Sequence, residues 1–358
     1  MRSILFAGGG TLGPVTPLLA VADRLRESDA DMEFLWVGTD DGPERELIES
    51  KGIPFYTLPE AKFPRYLSRK LMTAPIDFMR ARRASRRILA EYHPRVIVSA
   101  GGFTAVPLVQ EAFYRNIPCI SHQLDAIPGL SNRLIARQSR YVTLSYGYDS
   151  PPFKTRGTMY RIPTPVRFKM NEVPSREEAC RIFDLDPAKK VLLIVGGGTG
   201  AITLNLTMTR IIKRLPEDLQ VIHVSGKGKE IVEEEIDDGP TIRRYSFLSE
   251  EMFDALAIAD LVVSRAGIGA ISELAMLSKP TIFVPLPDSP QIQNLVQLGE
   301  GIVHVDQSSD VFEQDLFELL MRYLSSDSAR MEIGSFLHEA FPTDDGETLA
   351  HLVRSTLV

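Results

Sequence analysis

Cysteine is scarce in this chain: Cys119 and Cys180 are the only two in 358 residues. So few exclude a disulfide framework, and both read as small core residues in a reducing compartment. Long apolar runs are missing too. None reaches the roughly 18–20 residues that cross a bilayer as a helix, so no transmembrane segment is expected. Met1-Arg2-Ser3-Ile4-Leu5-Phe6-Ala7 runs straight into glycines, without the long apolar region and cleavage site of a signal peptide. It reads as a first strand, and a cytoplasmic protein is the expectation.

What is present is an ordinary globular mixture, 44% apolar and 24% charged, in a length comfortable for two α/β domains. The net charge of −7 is unevenly spread, with residues 1–165 summing to about +6 and the remainder to about −13. That asymmetry predicts different partners for the two halves, the basic half suiting an anionic surface or substrate. Apolar strands alternate with helical periodicity: Ser3–Ala7, a helix over 17–27, Glu33–Gly38, a helix over 42–51, Val96–Ser99 and a helix from about Val106. Residues 145–173, with Pro151, Pro152, Pro163 and Pro165, read as a linker. The pattern then restarts with a strand over 190–195, a helix over 201–215, a strand over Gln220–Val224, and onward to 280–284. The expected fold class is α/β: two Rossmann-like, doubly wound parallel sheets facing a cleft.

Three strand-to-helix turns are rich in small residues. Gly8-Gly9-Gly10-Thr11-Leu12-Gly13-Pro14 follows the first strand; it is neither in the dinucleotide GxGxxG register nor a P-loop, since no GK[ST] follows. Gly196-Gly197-Gly198-Thr199-Gly200-Ala201 opens the helix that contains Asn205. Ser264-Arg265-Ala266-Gly267-Ile268 opens a helix carrying Glu273 about two turns in. Glycine lets backbone amides approach a phosphate, and the first amides of a helix are unpaired. A carboxylate further along can accept from both hydroxyls of a ribose. Diphosphate plus ribose points to a nucleotide or a nucleotide-sugar in the second half.

Two more segments carry chemistry. His122-Gln123-Leu124-Asp125 stands at the carboxyl end of an apolar strand, where a reacting group would sit. Taken alone, His122 reads as a satisfied, partly buried imidazole, and Asp125 could instead cap a turn before Pro128. Between Lys62 and Arg87, nine cations are interleaved with Phe63, Tyr66, Phe78 and Met79 around a single acid, Asp77. Such a mixture suits an anionic bilayer surface or a solvated helix face. No nucleic-acid module accompanies it.

Taken in order, these segments resemble the MurG-type transferases of glycosyltransferase family 28. That family moves N-acetylglucosamine from UDP-N-acetylglucosamine to the undecaprenyl-linked muramyl-peptide lipid I, forming lipid II for cell-wall peptidoglycan. The likeness covers nearly the whole length: residues 8–11, 101–107, 122–132 ending in Ile127-Pro128-Gly129-Leu130-Ser131-Asn132, Pro165-Val166-Arg167, 196–205, 264–273 and 290–294. It implies the GT-B fold, with an acceptor- and membrane-binding domain over 1–163 and a UDP-sugar domain over 164–340. A C-terminal helix within 341–358 would pack back on the first domain.

The resemblance also implies site residues. Glu273 would hold the ribose, Thr199 with the amides of Gly198 and Gly200 the diphosphate, and Arg167 the nucleotide. Leu248 falls in the loop whose backbone reads uracil, and Gln291, with Asn294 nearby, meets the sugar. Thr11, Gly13, Ala266 and Gly267 complete the donor set, while Gly102, Phe103 and Asn132 fall on the acceptor side. Inversion without metal or other cofactor is implied. The implied partners are UDP-N-acetylglucosamine, a polyprenyl-diphosphate-linked acceptor, and the inner face of the cell membrane, bound peripherally through the Lys62-to-Arg87 tract; nucleic acid is not among them.

The chain departs from the family where an acceptor hydroxyl would lose its proton. Pro14 replaces a histidine that is a candidate general base, Leu12 replaces a glycine, Gln123 a glutamate and Asp125 an asparagine. Proline accepts no proton, so Asp125 or His122 is the expected base. The same departure admits a related transferase with a different lipid acceptor, or a non-catalytic nucleotide-sugar-binding protein. A UDP-N-acetylglucosamine 2-epimerase shares the architecture, but the 127–132 run and the basic tract tell against it. Asp184-Leu185-Asp186 has the DxD spelling of metal-dependent transferases, yet it precedes Pro187, away from the glycine turn, and reads as a polar loop.

Overall fold

Short apolar runs with both faces covered make the strands of this chain, as parallel sheets flanked by helices require. The computed structural model describes residues 2–10, 13–40, 42, 44–59, 69–196, 201–226, 228–229 and 239–357, with residues 69–73 described by backbone alone. They divide into two units, Met1–Arg167 with Asp344–Val358, and Phe168–Thr343.

The first unit is built on seven parallel strands: β1 (Ser3–Ala7), β2 (Glu33–Gly38), β3 (Phe55–Thr57), β4 (Val96–Ser99), β5 (Cys119–Gln123), β6 (Tyr141–Leu144) and β7 (Thr158–Arg161). Their order is β3-β2-β1-β4-β5-β6-β7, with Leu5 in register between Leu35 and Ile97. Chain direction through the sheet reverses at β1 and β4, so their carboxyl ends flank a switch point, where such sheets bind ligands. Helices α1 (Thr16–Ser28), α2 (Glu44–Ser50), α3 (Arg69–Tyr92), α4 (Ala105–Phe113) and α5 (Leu130–Ala136) connect the strands. Leu5, Val37, Leu89, Ile97, Leu108 and Ile135 share one core cluster.

Residues 145–173 are more than a linker. Thr158–Arg161 pairs with β6 as the last strand of the sheet. The prolines on either side leave a strand too short for its periodicity to show.

The returning C-terminus belongs to the first unit. A two-residue strand β8 (Thr164–Pro165) pairs with β14 (Thr343–Asp344), and the Val166 amide donates to the Asp344 carbonyl at 2.7 Å. Helix α13 (Glu347–Thr356) then packs on α1, burying Leu349, Ala350 and Val353. Gly346, at φ +90°, makes the turn into α13; a side chain there would meet the α1 backbone at Ala20.

The second unit repeats the plan with five parallel strands: β9 (Val191–Val195), β10 (Gln220–Val224), β11 (Thr241–Tyr245), β12 (Leu261–Ser264) and β13 (Thr281–Phe283). Their order, β11-β10-β9-β12-β13, puts the switch point between β9 and β12. Helices α6 (Arg176–Ile182), α7 (Ile202–Ile212), α8 (Glu251–Ile258), α9 (Ile268–Met276), α10 (Gln291–Val296), α11 (Phe312–Leu324) and α12 (Asp327–Ala340) cover it. Ser175 and Glu178 close a capping box at the start of α6. Leu192, Ile194, Leu204, Met208, Val263 and Leu316 lie in its core. The strand–helix alternation read from the sequence is the observed architecture. No helix among the described residues is long and apolar enough to cross a membrane.

Candidate active site

At the switch point of the first unit, three segments meet. The Gly8 amide continues the sheet to the Val37 carbonyl at 3.1 Å. The Trp36 indole N–H donates to the Gly8 carbonyl at 2.8 Å. Gly10 takes φ +89°, and its amide donates to the Glu44 carboxylate at 3.2 Å. Gly101 and Gly102, at φ +110° and +95°, bring the chain after β4 beside this turn; a Cβ on Gly102 would lie 3.4 Å from the Gly9 carbonyl oxygen.

The Asn132 carboxamide lies under Gly101, in space that any side chain there would need. It donates to Gln123 Oε1 at 2.6 Å, and Gln123 Nε2 donates to the Asp125 carbonyl at 2.7 Å. Asn132 therefore lies against Gly101, the residue before Gly102. Phe103 is half-buried in the same loop. Gly13 lies just ahead of α1, whose cap position, Val15, makes no side-chain cap hydrogen bond and whose second residue is Pro17. Thr11 falls outside the described residues.

The two candidate bases differ sharply. His122 is buried on β5, with Thr143 Oγ1 2.9 Å from Nδ1 and Ser145 Oγ 3.3 Å from Nε2. Burial drives its pKa down to about 3, so the ring stays neutral at physiological pH with both nitrogens occupied. Asp125 is half-buried on the loop after β5. Its charge bears on two tyrosines, whose phenols rise mainly through burial and then through Asp125, Tyr148 reaching about 12. The Tyr148 hydroxyl donates to the Ala126 carbonyl at 2.8 Å, anchoring that loop.

In the second unit, the Gly196 amide donates to the Val224 carbonyl at 3.2 Å, continuing the β9–β10 pairing one residue beyond β9. Gly198, Thr199 and Gly200 fall outside the described residues. Asn205 on α7 is buried and donates to the Ser225 and Lys229 carbonyls at 3.0 and 3.2 Å, fastening the loop after β10. Its oxygen faces His223 Nε2 at 3.1 Å, and burial lowers that imidazole to about 4.

The turn after β12 is held from the loop after β13. Arg265 is buried and donates to the Val284 and Pro285 carbonyls at 2.9 and 3.4 Å; burial lowers its guanidinium to about 10. Gln291 Oε1 accepts from the Ala266 and Leu286 amides at 3.2 and 2.8 Å. Asn294, fully buried, donates to the Ala266 carbonyl at 3.4 Å. Ala266, Gly267, Gln291 and Asn294 thus form one piece, in which Gln291 and Asn294 act as braces. Gly267 caps α9 in extended backbone with no side-chain cap, and Glu273 stands half-buried in the second turn of that helix. Leu248 is buried and Phe247 exposed on the loop after β11. Arg167 is half-buried and ends the main segment of the first unit.

The DxD segment lies beside the amino ends of β9 and β10. Asp184 pairs with Arg243 at 2.6 Å, Asp186 Oδ1 accepts the Ala188 amide at 2.9 Å, and the Asp186 amide donates to Gln220 at the start of β10. Both carboxylates serve the turn before β9, away from the switch point. Among the described residues, no cluster of His, Cys, Asp and Glu is arranged to hold a metal ion.

In the basic tract, α3 exposes Arg83, Arg86 and Arg87 together with Ile76 and Met79. Arg82 and Arg86 turn toward Glu111 of α4, donating at 2.6 and 2.9 Å, and Arg115 adds a third donor at 2.9 Å. Burial pushes the Glu111 carboxyl up, but the hydrogen bonds from the three arginines outweigh it and hold the group below the usual range. Lys62, Arg65, Phe63 and Tyr66 fall outside the described residues, as do the side chains of Arg69 and Lys70.

Sequence reasoning gave no role to Glu44, Trp36 or Arg265. An acid opening a helix and a lone aromatic in a strand are ordinary features, and only the fold shows what they touch. For Arg265 there was a signal: a cation set among small residues at the end of an apolar strand, where burial demands partners.

Family models match the chain twice: the glycosyltransferase family 28 N-terminal domain over residues 4–143, and the family 28 C-terminal domain over residues 191–336. A protein of Lachnospira eligens, named UDP-N-acetylglucosamine--N-acetylmuramyl-(pentapeptide) pyrophosphoryl-undecaprenol N-acetylglucosamine transferase, is 33% identical over 286 residues, spanning 80% of this chain and 79% of its own. The protein of the same name from Clavibacter michiganensis subsp. michiganensis is 33% identical over 369 residues, spanning 100% and 97%. Among solved structures, Acinetobacter baumannii MurG matches with a TM-score of 0.74 at 21% identity, covering 99% of this chain and 100% of that one, a likeness of fold.

Proposed function

This chain is a member of glycosyltransferase family 28, and on that footing we propose that it transfers N-acetylglucosamine from UDP-N-acetylglucosamine to lipid I, forming lipid II for peptidoglycan. The relatives that match along the chain bear the name of that reaction. The observation that carries the donor half is the uncapped start of α9 at the switch point of the second sheet, with Glu273 in its second turn. Open amides suit a pyrophosphate, and a carboxylate suits the ribose diol.

In this reading the acceptor lies against the turns of the first unit, and Asp125 takes the proton from its attacking hydroxyl. Attack on the face opposite the departing UDP inverts the anomeric carbon in one displacement. The charge growing on UDP is met by helix-terminal amides and Arg167, so the reading needs no metal. His122 is not given the proton: its ring is buried, neutral and already bonded to two hydroxyls. The half-buried position of Asp125 beside two tyrosines supports giving it that role.

The lipid acceptor calls for a membrane contact. We assign it to the tract from Lys62 to Arg87, whose exposed Arg83 and Arg87 stand near exposed Ile76 and Met79 on α3. The protein would then act peripherally on the cytoplasmic face of the cell membrane. Pro14 favours one second reading, the same chemistry on a different lipid-linked acceptor. Incubation with UDP-N-acetylglucosamine and lipid I in detergent decides: UDP release with glycosylated lipid supports the first reading. UDP release only with another polyprenyl-linked acceptor supports the second, and neither product refutes both.

A further inference from the structure

A carboxylate lies buried beneath the first glycine turn, and the site described above does not use it. Glu44, the first residue of α2, is 0% exposed. Its Oε1 accepts three hydrogen bonds: from the Gly10 amide at 3.2 Å, the Thr39 amide at 2.9 Å and the Thr39 hydroxyl at 2.5 Å. Its Oε2 is buried with no partner among the described residues. Gly9 and Gly42 both run so close to the carboxylate that a Cβ on either would collide with it. From the other side, the Trp36 indole holds the Gly8 carbonyl. Gly8 and Gly10 are therefore each held by a side chain, one from the sheet and one from α2.

We propose that Glu44 is the positioning residue of this turn: by holding Gly10 in its left-handed conformation it sets the backbone of Gly8–Gly10 toward the acceptor, without touching the acceptor itself. Full burial rules out direct contact. A negative charge under a turn meant for a diphosphate opposes binding, so its use there is geometric. What the turn needs is an acceptor oxygen at this point, which a carboxamide also supplies. The inference rests on the reading that this turn faces the acceptor.

The test uses the full chain with Glu44→Ala, Glu44→Asp and Glu44→Gln, the aspartate variant keeping the charge but withdrawing the oxygen by one methylene. Glu44→Asp and Glu44→Ala should raise the KM for lipid I about ten-fold, the scale of one lost hydrogen bond. UDP affinity by calorimetry should stay within about two-fold, and Glu44→Gln should restore the lipid KM to within about three-fold. If Glu44→Gln is as impaired as Glu44→Ala, charge and not position is at work and the proposal is overturned. A substrate-free readout separates it from the acceptor reading. Amide exchange at residues 8–10 should quicken in Glu44→Asp, and the emission of Trp36 should shift. Unchanged exchange and emission sink the positioning role whatever the acceptor. Quickened exchange with an unmoved lipid KM instead removes the acceptor from this turn. Should Glu44→Ala not fold, Glu44→Asp alone decides.

Discussion

The two units use one device and brace it with opposite charges. In each, the strand order reverses beside the first strand, and a turn of small residues opens a helix that no side chain caps. In the second unit the bracing group is a buried guanidinium, Arg265, assisted by two carboxamides. Burial lowers Arg265 only to about 10, so it stays charged at neutral pH and adds a positive field where a pyrophosphate would rest. In the first unit the bracing group is a carboxylate, Glu44, assisted by an indole. That choice offers an anion nothing but geometry. On the proposed reading, the second unit would hold charge, and the first a shape.

The sharpest way to break the comparison is to remove chemistry from the first unit alone. Asp125→Asn should cut turnover roughly 10²–10⁴-fold, the range of a lost general base, while donor affinity in the second unit is unchanged. Full activity would remove Asp125 from the mechanism. Next in size is the response to acid. His122 titrates near 3 in the fold, against 6.5 when unburied, so between those values only the unfolded chain takes up the proton. Stability present above pH 6.5 is therefore lost as pH falls toward 3, by on the order of 4–5 kcal/mol in total. His223 imposes the same sign on the second unit over the narrower span from 6.5 to about 4. The lone Trp36 lies in the first unit, so urea unfolding followed by its fluorescence reads that unit. Its midpoint should drop between pH 7 and pH 4.5, and His122→Gln should flatten the slope. A wild-type midpoint indifferent to pH would mean that the imidazole is not held neutral.

A third change falls on the second unit. Glu273→Ala should weaken UDP binding roughly ten- to a hundred-fold, the worth of charge-assisted hydrogen bonds to a diol. Calorimetry with UDP checks it, and unchanged affinity would unseat the ribose assignment while leaving the lipid-side predictions standing.

How much of this was legible beforehand follows the range of the interactions. Strand–helix alternation is local and buried strands are apolar, so β1, β2, β4 and β9 stood out in the sequence. Strand β7 did not, because pairing with β6 defines it and four residues between prolines carry no period. At the candidate site, the small-residue turns and Glu273 were visible because glycine and a helical acid mark their own positions. The supports were not. Glu44 is bound to Gly10, 34 positions away, and Arg265 to Val284, 19 positions away. Gln291 marks itself as a candidate sugar contact through its amide, but that its oxygen also serves the Ala266 and Leu286 amides is visible only in the fold. A sequence shows that a polar residue is present; only the fold shows where its hydrogen bonds go.

The smallest expected effect separates two kinds of arginine on α3. Arg82 and Arg86 are tied to Glu111, whose side chain is 2% exposed, so neutralising them leaves a buried carboxylate to Arg115 and costs stability first. Arg83 and Arg87 are exposed and are the ones available to an anionic surface. Each exposed cation near such a surface is worth about 1 kcal/mol, or roughly five-fold in affinity. Arg83→Gln with Arg87→Gln should lower binding to vesicles containing phosphatidylglycerol by that factor per residue, most visibly at low salt. The matched control lies in the acidic half: Lys189→Gln with Lys213→Gln removes two exposed cations from the second unit and should leave vesicle binding unchanged. Equal losses in the two pairs would mean that net charge, and not the face of α3, brings the protein to the membrane.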